Sequence, residues 1–489
     1  MLYQQRGDPE AAIAPLSRAA ALAPDSARIP YHLGNALLAT DRAAEAEAAF
    51  RRALALNPVL LEARNNLGNA LRRQHRLPGA LDTYRAVLAR QPDFAPALYN
   101  MGLALAECGE FPAAIDCYRS VLARPPRPDE IARYADVQEA LSGALVEMGR
   151  HADAVAACRV WQRLDPGNWR AEWNESLSLL ALGRYAEGWV KYEQRWNLPE
   201  AHAHLAGADP PAVPARASLF GKHVLLRAEQ GLGDVIQFAR YAPLLAPLVG
   251  SLSLQVYPEL RTLLGRMPGI ATAVGMDDPP PAHDAVLSVL SLPLLFATTL
   301  QTIPARVPYL APRAAAVVAW RARLGGPARH VGLCWWGSEH SRRSAIPLPA
   351  LAPLLRLPGL RFHSLQPAIA PEHRAWLAAN PLLAEHGAQL VDFDATAALV
   401  AALDLVITID TSVAHLAGAL GRPSWILLRH SADWRWLRDR DDSPWYPSAR
   451  LFRQGPDRSW DAVIAAVRDA LGRWRDGGRA GTDTNSERD

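Results

Sequence analysis

The sequence predicts an α solenoid followed by an α/β region, and three observations carry the prediction. First, Gly34, Gly68 and Gly102 recur at one constant interval, and Ala46, Ala80 and Ala114, then Pro58, Pro92 and Pro126, recur at that same interval. Landmarks in phase over three copies mark a repeat of two antiparallel helices. Gly and Ala let the helices approach closely, and Pro ends the second before the next unit begins. Second, beyond residue 217 short apolar runs alternate with amphipathic stretches, which calls for mostly parallel sheet with helices on both faces. Third, the segment between them, AHAHLAGADPPAVPARAS at 200–217, is small and proline-rich like a linker.

At 489 residues the chain is too long for one core and calls for about two to four domains. A hydrophobic share of 50% with 21% charged residues excludes wholesale disorder. The net charge of +3 argues against a nucleic-acid coat or a polybasic membrane binder. Lys191 and Lys222 are the only lysines among 52 basic Lys and Arg residues, so Arg clusters here carry little functional information. Cys108, Cys117, Cys158 and Cys334 form no CxxC pair and no metal-ligand spacing, which reads as free thiols in a reducing compartment. The opening MLYQQRGDPE lacks the basic-then-apolar pattern of a signal peptide. The longest apolar stretch, Ala285–Ala297, holds two serines and a proline and is too short for a bilayer. A soluble, cytoplasmic protein with no membrane span and no nucleic-acid partner is expected.

Pro24 closes an earlier unit whose first helix would lie before Met1, which reads either as a misassigned start or as an exposed end capped by another surface, self-association included. After Pro126 the spacing slips: Gly143 arrives seven positions late after Gly102, an insertion placed around Pro125–Pro128. Pro166 closes that unit, and an irregular last one, with Ser176 where Gly is expected, runs to about Pro199. Asn35, Asn65, Asn66, Asn69 and Asn100 lie around the inner helices, where they either bond the backbone of a bound peptide or form solvated surface. Trp161, Trp169, Trp173, Trp189 and Trp196 crowd the end of the array and read as a rigid apolar seam to the next domain.

In the α/β region strands are expected at His223–Arg227, Ser253–Val256, His283–Ser288, His330–Trp335, Leu360–Ser364, Gln389–Val391, Leu405–Ile409 and Ser424–Leu428. A helix is expected over Val235–Leu248, and a break between two sheets near Pro308–Ala328. The polar, glycine-rich tail at 475–489 is expected to be disordered.

Two turns carry the chemistry. After the first strand, Glu229-Gln230-Gly231-Leu232-Gly233-Asp234 leads into a helix, where Gly231 and Gly233 let the backbone turn sharply and approach a ligand. Neither a dinucleotide GxGxxG nor a Walker loop is present. Asp234 is either an N-cap, with Gln237 three residues on completing a capping box, or a catalytic carboxylate. The second turn is Asp410-Thr411-Ser412, at the end of the apolar strand Leu405–Ile409 and the start of a helix. In open α/β sheets ligands bind beyond the carboxyl ends of strands. Thr411 and Ser412 would offer hydroxyls and amides to a phosphate, and Asp410 would accept from sugar hydroxyls. His415, one turn inside the helix, is either a packed histidine or a ligand contact.

The repeating unit resembles the tetratricopeptide repeat. RAEQGLGDVIQFARYAPLL at 227–245 and DLVITIDTSVAHLAGALGRP at 404–423 resemble the lipopolysaccharide heptosyltransferases, glycosyltransferase family 9, over roughly residues 220–470. Bacterial proteins that join such repeats to this domain are closer still, and those are similar to protein glycosyltransferases, flagellin-modifying enzymes among them. The resemblance implies two Rossmann-like domains in the GT-B arrangement, no metal or other cofactor, and inversion at the anomeric carbon. The expected plan is repeats at 1–199, a linker at 200–217, an acceptor-side domain at 218–312, a nucleotide-sugar domain at 313–474 and the tail.

By the same resemblance Asp234 is the general base, while Asp410, Thr411 and Ser412 hold the donor's sugar and diphosphate. Arg342 or Arg343, after the first strand of the second domain, neutralises the diphosphate. Where heptosyltransferases carry an acidic residue, this chain reads Ser364-Leu365-Gln366, and Gln366 can still hydrogen-bond a ribose or base. Trp434-Arg435-Trp436 and Ser443-Pro444-Trp445-Tyr446 are more typical of the repeat-bearing relatives; their aromatics stack a base or pack a terminal helix. The expected function is transfer of a sugar from a nucleotide-sugar to a protein or peptide held in the repeat groove. A glycolipid acceptor, or a non-catalytic scaffold with a degenerate transferase fold, are the rivals.

Overall fold

The computed structural model describes residues 8–199, 201, 212–337 and 345–477. The chain divides into two compact units, Met1–Asn174 and Glu175–Asp489.

In the first unit a helix at Pro9–Leu22, capped by Asp8, precedes four helix pairs. They are Arg28–Ala39 with Ala43–Leu56, Leu61–Arg73 with Leu77–Leu88, Ala95–Glu107 with Phe111–Leu122, and Ile131–Glu147 with His151–Leu164. Close approach explains the repeated glycine. A Cβ on Gly34 would stand 2.6 Å from the Phe50 ring, on Gly68 2.4 Å from Tyr84, and on Gly102 2.4 Å from Tyr118. The aromatic that follows each glycine at this fixed offset is thus a fourth landmark, and all three rings are buried in the core.

That landmark corrects the register of the fourth pair. Gly143 is exposed, with nothing near the place of its missing Cβ. Ser142 and Cys158, both buried, hold the glycine and aromatic positions, and Ala154 and Pro166 then follow Ser142 at the same offsets as alanine and proline in the regular units. The insertion is therefore one position shorter than the spacing to Gly143 implies. It folds as a short 3-10 turn at Pro128–Glu130, whose buried Glu130 carboxylate accepts from Arg124 and Arg127.

The inner-helix asparagines bond one another. Asn66 Nδ2 donates to Asn35 Oδ1 at 2.8 Å, Asn65 Nδ2 to Asn66 Oδ1 at 2.9 Å, and Asn100 Nδ2 to Asn65 Oδ1 at 3.0 Å. Tyr84 OH closes on Asn69. They form a ladder along the array rather than independent solvated side chains.

The second unit opens inside the helix Trp169–Ala181 and continues through the helix Tyr185–Tyr192 and a 3-10 turn at Glu193–Asn197. The expected tryptophan seam is split. Trp161 packs with Ala135 and Ala171 in the first unit, whereas Trp189 sits among Tyr185, Tyr192, Phe238, Trp434 and Trp445 in the second.

Two wholly parallel sheets follow. The first runs β3-β2-β1-β4, with β1 His223–Arg227, β2 Ser251–Val256, β3 Ile270–Gly275 and β4 Ala285–Ser288. The second runs β10-β9-β8-β5-β6-β7, with β5 Arg329–Cys334, β6 Leu360–Ser364, β7 Leu383–Ala384, β8 Leu405–Ile409, β9 Ser424–Leu428 and β10 Ala449–Arg453. In such sheets a crevice opens where the strand order reverses, here between β1 and β4 and between β5 and β8.

Three expectations are corrected. Gln389–Val391 is not a strand: a 3-10 turn occupies Gly387–Gln389, and the edge strand is β7. The single helix over Val235–Leu248 is instead Leu232–Phe238, then 3-10 turns flanking a short helix at Ala242–Leu245, because Pro243 and Pro247 withdraw backbone donors. Strands β3 and β10 escaped sequence reading because IATAVG is small and partly exposed and ARLFR alternates with charge. Of the tail, 478–489 lies outside the described residues, as does most of the 200–217 segment. Among the described residues no helix is long and apolar enough to cross a membrane.

Candidate functional site

At the carboxyl end of β1 the helix Leu232–Phe238 begins, with Gly231 as its N-cap in extended backbone. Asp234 is the third helical residue, so the capping reading is corrected in direction. Its carboxylate reaches back to accept from the Gly231 N–H, Oδ2 at 2.9 Å, rather than capping the helix ahead of it. Gln237 is buried and accepts from Arg435 Nε at 2.8 Å.

At the carboxyl end of β8, Thr411 is the N-cap of the helix Ser412–Ala419. Its Oγ1 lies 3.1 Å from Thr408 Oγ1 and 3.7 Å from Cys334 Sγ. Burial pushes the Cys334 thiol up, so it keeps its proton and donates to Gln366 Oε1 at 3.1 Å. Gln366 Oε1 also accepts from the Trp336 N–H at 3.1 Å. Gln366 is thereby fixed beside the reversal between β5 and β8.

The two turns meet through Gly233. A Cβ there would stand 2.7 Å from His415 Cδ2 and 3.3 Å from Ser412 Cα. Only glycine lets the helices Leu232–Phe238 and Ser412–Ala419 cross this closely.

Arg435 joins the same place. Its guanidinium donates to Asp234 Oδ1, to Gln237, and to Asp433 Oδ1 at 2.9 Å. Burial pushes the Asp234 carboxyl up, against the pull of the Arg435 charge. Burial and then the neighbouring Asp433 charge push the Asp410 carboxyl up to about 7. Burial drops His415 well below the ordinary histidine value, leaving a neutral imidazole. It stacks on Trp436 at 5.5 Å, with Nδ1 2.8 Å from Tyr446 OH and Nε2 4.0 Å from Asp410 Oδ1.

A cleft of about 470 Å³ opens beside this crossing. Gln366, Thr411, Ser412, Leu232 and Trp336 line it, with an apolar wall from Pro367, Leu390, Val391 and Phe393. Asp234, Asp410 and His415 stand outside that wall. Gly231, Gly233, Asp234, Gln366, Asp410, Thr411, Ser412 and His415 are therefore drawn into one neighbourhood, whereas Arg342 and Arg343 lie outside the described residues. Among the described residues no group of three or more His, Cys, Asp or Glu could hold a metal ion.

Sequence reading missed Arg435, Asp433 and Cys334. Arg435 sat inside a stretch noticed only for its aromatics. Those aromatics pack: Trp434, Trp436, Trp445 and Tyr446 are all buried, and none is free to stack a base.

The tetratricopeptide-repeat family profile matches residues 1–60, 65–131 and 99–168. Protein FlbA of Caulobacter vibrioides is 30% identical over 369 residues, covering 67% of this chain. The chain spans 60% of that relative's length. Among solved structures, YrrB, a repeat protein described as having an unusual peptide-binding site, overlaps 38% of this chain and 94% of its own, with 16% identity and a TM-score of 0.32. Pseudomonas aeruginosa pilF overlaps 42% and 92%, with 19% identity and a TM-score of 0.35. MamA of Desulfovibrio magneticus overlaps 34% and 90%, with 23% identity and a TM-score of 0.30. The chain is thus a tetratricopeptide-repeat protein in its N-terminal part, continued by an α/β region of parallel sheets.

Proposed function

We propose that this protein is an inverting glycosyltransferase of the GT-B arrangement that moves a sugar from a nucleotide-sugar to a protein acceptor recruited by the repeats. One observation carries the reading: the Gly231–Asp234 turn and the Asp410–Ser412 turn, far apart along the chain, meet where Gly233 touches His415 and Ser412. Two helix starts converging beside a cleft suit an anionic donor and an acceptor hydroxyl.

In this reading Asp234 takes the proton of the acceptor hydroxyl as its oxygen attacks the anomeric carbon and the nucleoside diphosphate departs. The Gly231 N–H and Arg435 hold one carboxylate oxygen each, which orients the base and leaves further lone pairs for the incoming proton. Thr411, Ser412 and the amides of their helix start receive the charge that develops on the diphosphate, and Gln366 bonds the nucleoside. Arg342 or Arg343 would add a cation. The repeats recruit the acceptor, as such repeats commonly do for protein partners.

The test is transfer from a panel of nucleotide-sugars to proteins captured by the full chain, read as a mass increment. Asp234→Asn should lower turnover by about a hundred- to ten-thousandfold while nucleotide-diphosphate affinity holds. Parental turnover in that variant removes Asp234 as the base. Absence of any nucleotide binding by the parent favours the scaffold instead.

A further inference from the structure

The backbone just before the candidate base is held in a form it would not adopt alone. Gln230 has φ +57°, in the left-handed region that side-chain-bearing residues avoid unless their surroundings impose it. The next residue, Gly231, is the one whose N–H meets the Asp234 carboxylate.

Two elements hold that conformation, the end of the last helix pair and Tyr257, which precedes the helix Pro258–Leu264. Tyr192 OH donates to the Gln230 side-chain oxygen at 3.3 Å, and Tyr257 OH donates to the Gln230 carbonyl at 2.6 Å. Glu229, one residue earlier, is 3% exposed and accepts from Arg195 Nε at 3.0 Å and from a terminal nitrogen at 2.7 Å. Arg195 is itself fully buried and also donates to Ser291 Oγ at 2.7 Å and Glu193 Oε1 at 2.6 Å. Ser288 ends β4 and Arg227 ends β1, so Arg195 fills the crevice at the strand reversal of the first sheet, where a sheet of this order would otherwise offer a ligand site. Its forked donors match a carboxylate held in one orientation.

Tyr192 also follows Cys158 by the interval that separates Phe50, Tyr84 and Tyr118, in phase with the fourth pair beyond the insertion. A repeat landmark has become a support of the turn.

We propose that Arg195 and Tyr192 are positioning residues that hold the Gly231–Asp234 turn, making the last helix pair part of the active centre. Their effect on turnover rests on the glycosyltransferase reading; their effect on the turn does not. The experiment uses the full chain carrying Arg195→Lys, the double variant Arg195→Met with Glu229→Gln, which leaves only the part-exposed Glu193 without its cation, and Tyr192→Phe, which removes only a hydroxyl. Hydrogen exchange of residues 228–234 without ligand reads the turn directly, and faster exchange confined to that segment is expected.

In the transfer assay kcat should fall by about a hundredfold with nucleotide-diphosphate affinity unchanged, the cost of a misplaced base. The acid limb of the pH–rate profile should move to higher pH, because losing the Gly231 N–H removes a bond to the charged carboxylate. Parental exchange at 228–234 in folded variants overturns the proposal, whether or not the parent transfers sugar. So does faster exchange with an unmoved acid limb and unmoved kcat. Should the Arg195 variants fail to fold, parental exchange in Tyr192→Phe overturns it alone.

Discussion

The repeat array and the sheet-bearing unit are stabilised by different kinds of neighbour. In the array the key contacts stay within about one repeat: a glycine meets the aromatic of the helix that follows it at one fixed offset in three pairs, and asparagines meet 31 and 35 positions apart. In the second unit the decisive contacts join distant segments. Arg435 reaches Asp234 across 201 residues, and Arg240 reaches the Trp445 carbonyl across 205. A periodic sequence writes its contacts into its own spacing, whereas a doubly wound sheet brings together residues that no spacing relates. A site assembled by the second means is therefore exposed to single changes far from its motifs.

The largest expected effect follows from that exposure. Arg435→Met strips a buried carboxylate of its cation and should cost about 3 kcal/mol, the low end for a broken buried pair because the Asp234 side chain is 19% exposed. Adding Asp234→Asn should recover part of the loss. Chemical denaturation of the three variants and the parent measures the coupling. A double variant as unstable as the sum of its singles would mean that the two segments are independent, and the contrast with the array would fail.

How much was legible follows the same division. Helix pairs and the glycine spacing came from periodicity, and seven of the eight expected strands stood out because buried parallel strands are short unbroken apolar runs. The two turns were legible as motifs, since glycine before a helix start has few other uses. Their meeting was not. Nothing in the sequence relates Gly233 to His415 before the chain folds. Arg435 was invisible for a compositional reason: in a chain where Arg supplies nearly every basic residue, one more Arg between two tryptophans carries no signal. Arg195 was hidden differently, because it lies in a repeat-end segment whose tryptophans drew attention to packing.

A pH test sharpens the comparison. In the second sheet His330, His363 and His386 form a chain. His330 Nε2 faces the Gly325 carbonyl and so carries a proton, Nδ1 lies 2.9 Å from His363 Nε2, and His363 Nδ1 lies 3.0 Å from His386 Nε2. Burial lowers His363 from 6.5 to about 3. Between those values the unfolded chain binds a proton that the folded chain refuses, so this contribution to stability falls as pH falls, by about 1.4 kcal/mol per unit. His363→Leu should flatten that acid-side slope relative to the parent. An unchanged slope would show that the chain of histidines accepts the proton without loss.

The smallest effects test the array where sequence spacing and structure part company. Gly102→Ala places a methyl 2.4 Å from the Tyr118 ring and should destabilise by about 1–3 kcal/mol, since a packed interhelix contact must open to admit it. Gly143→Ala should do the opposite and stabilise by about 0.5–1 kcal/mol, because that glycine faces open space inside a helix where alanine loses less backbone entropy on folding. Had Gly143 itself held the glycine position of the repeat, it would pack like Gly102 and both substitutions would destabilise. Opposite signs in urea denaturation therefore separate the two registers. The sign at 143 decides whether the aromatic landmark, rather than the glycine beside it, sets the phase of the repeat.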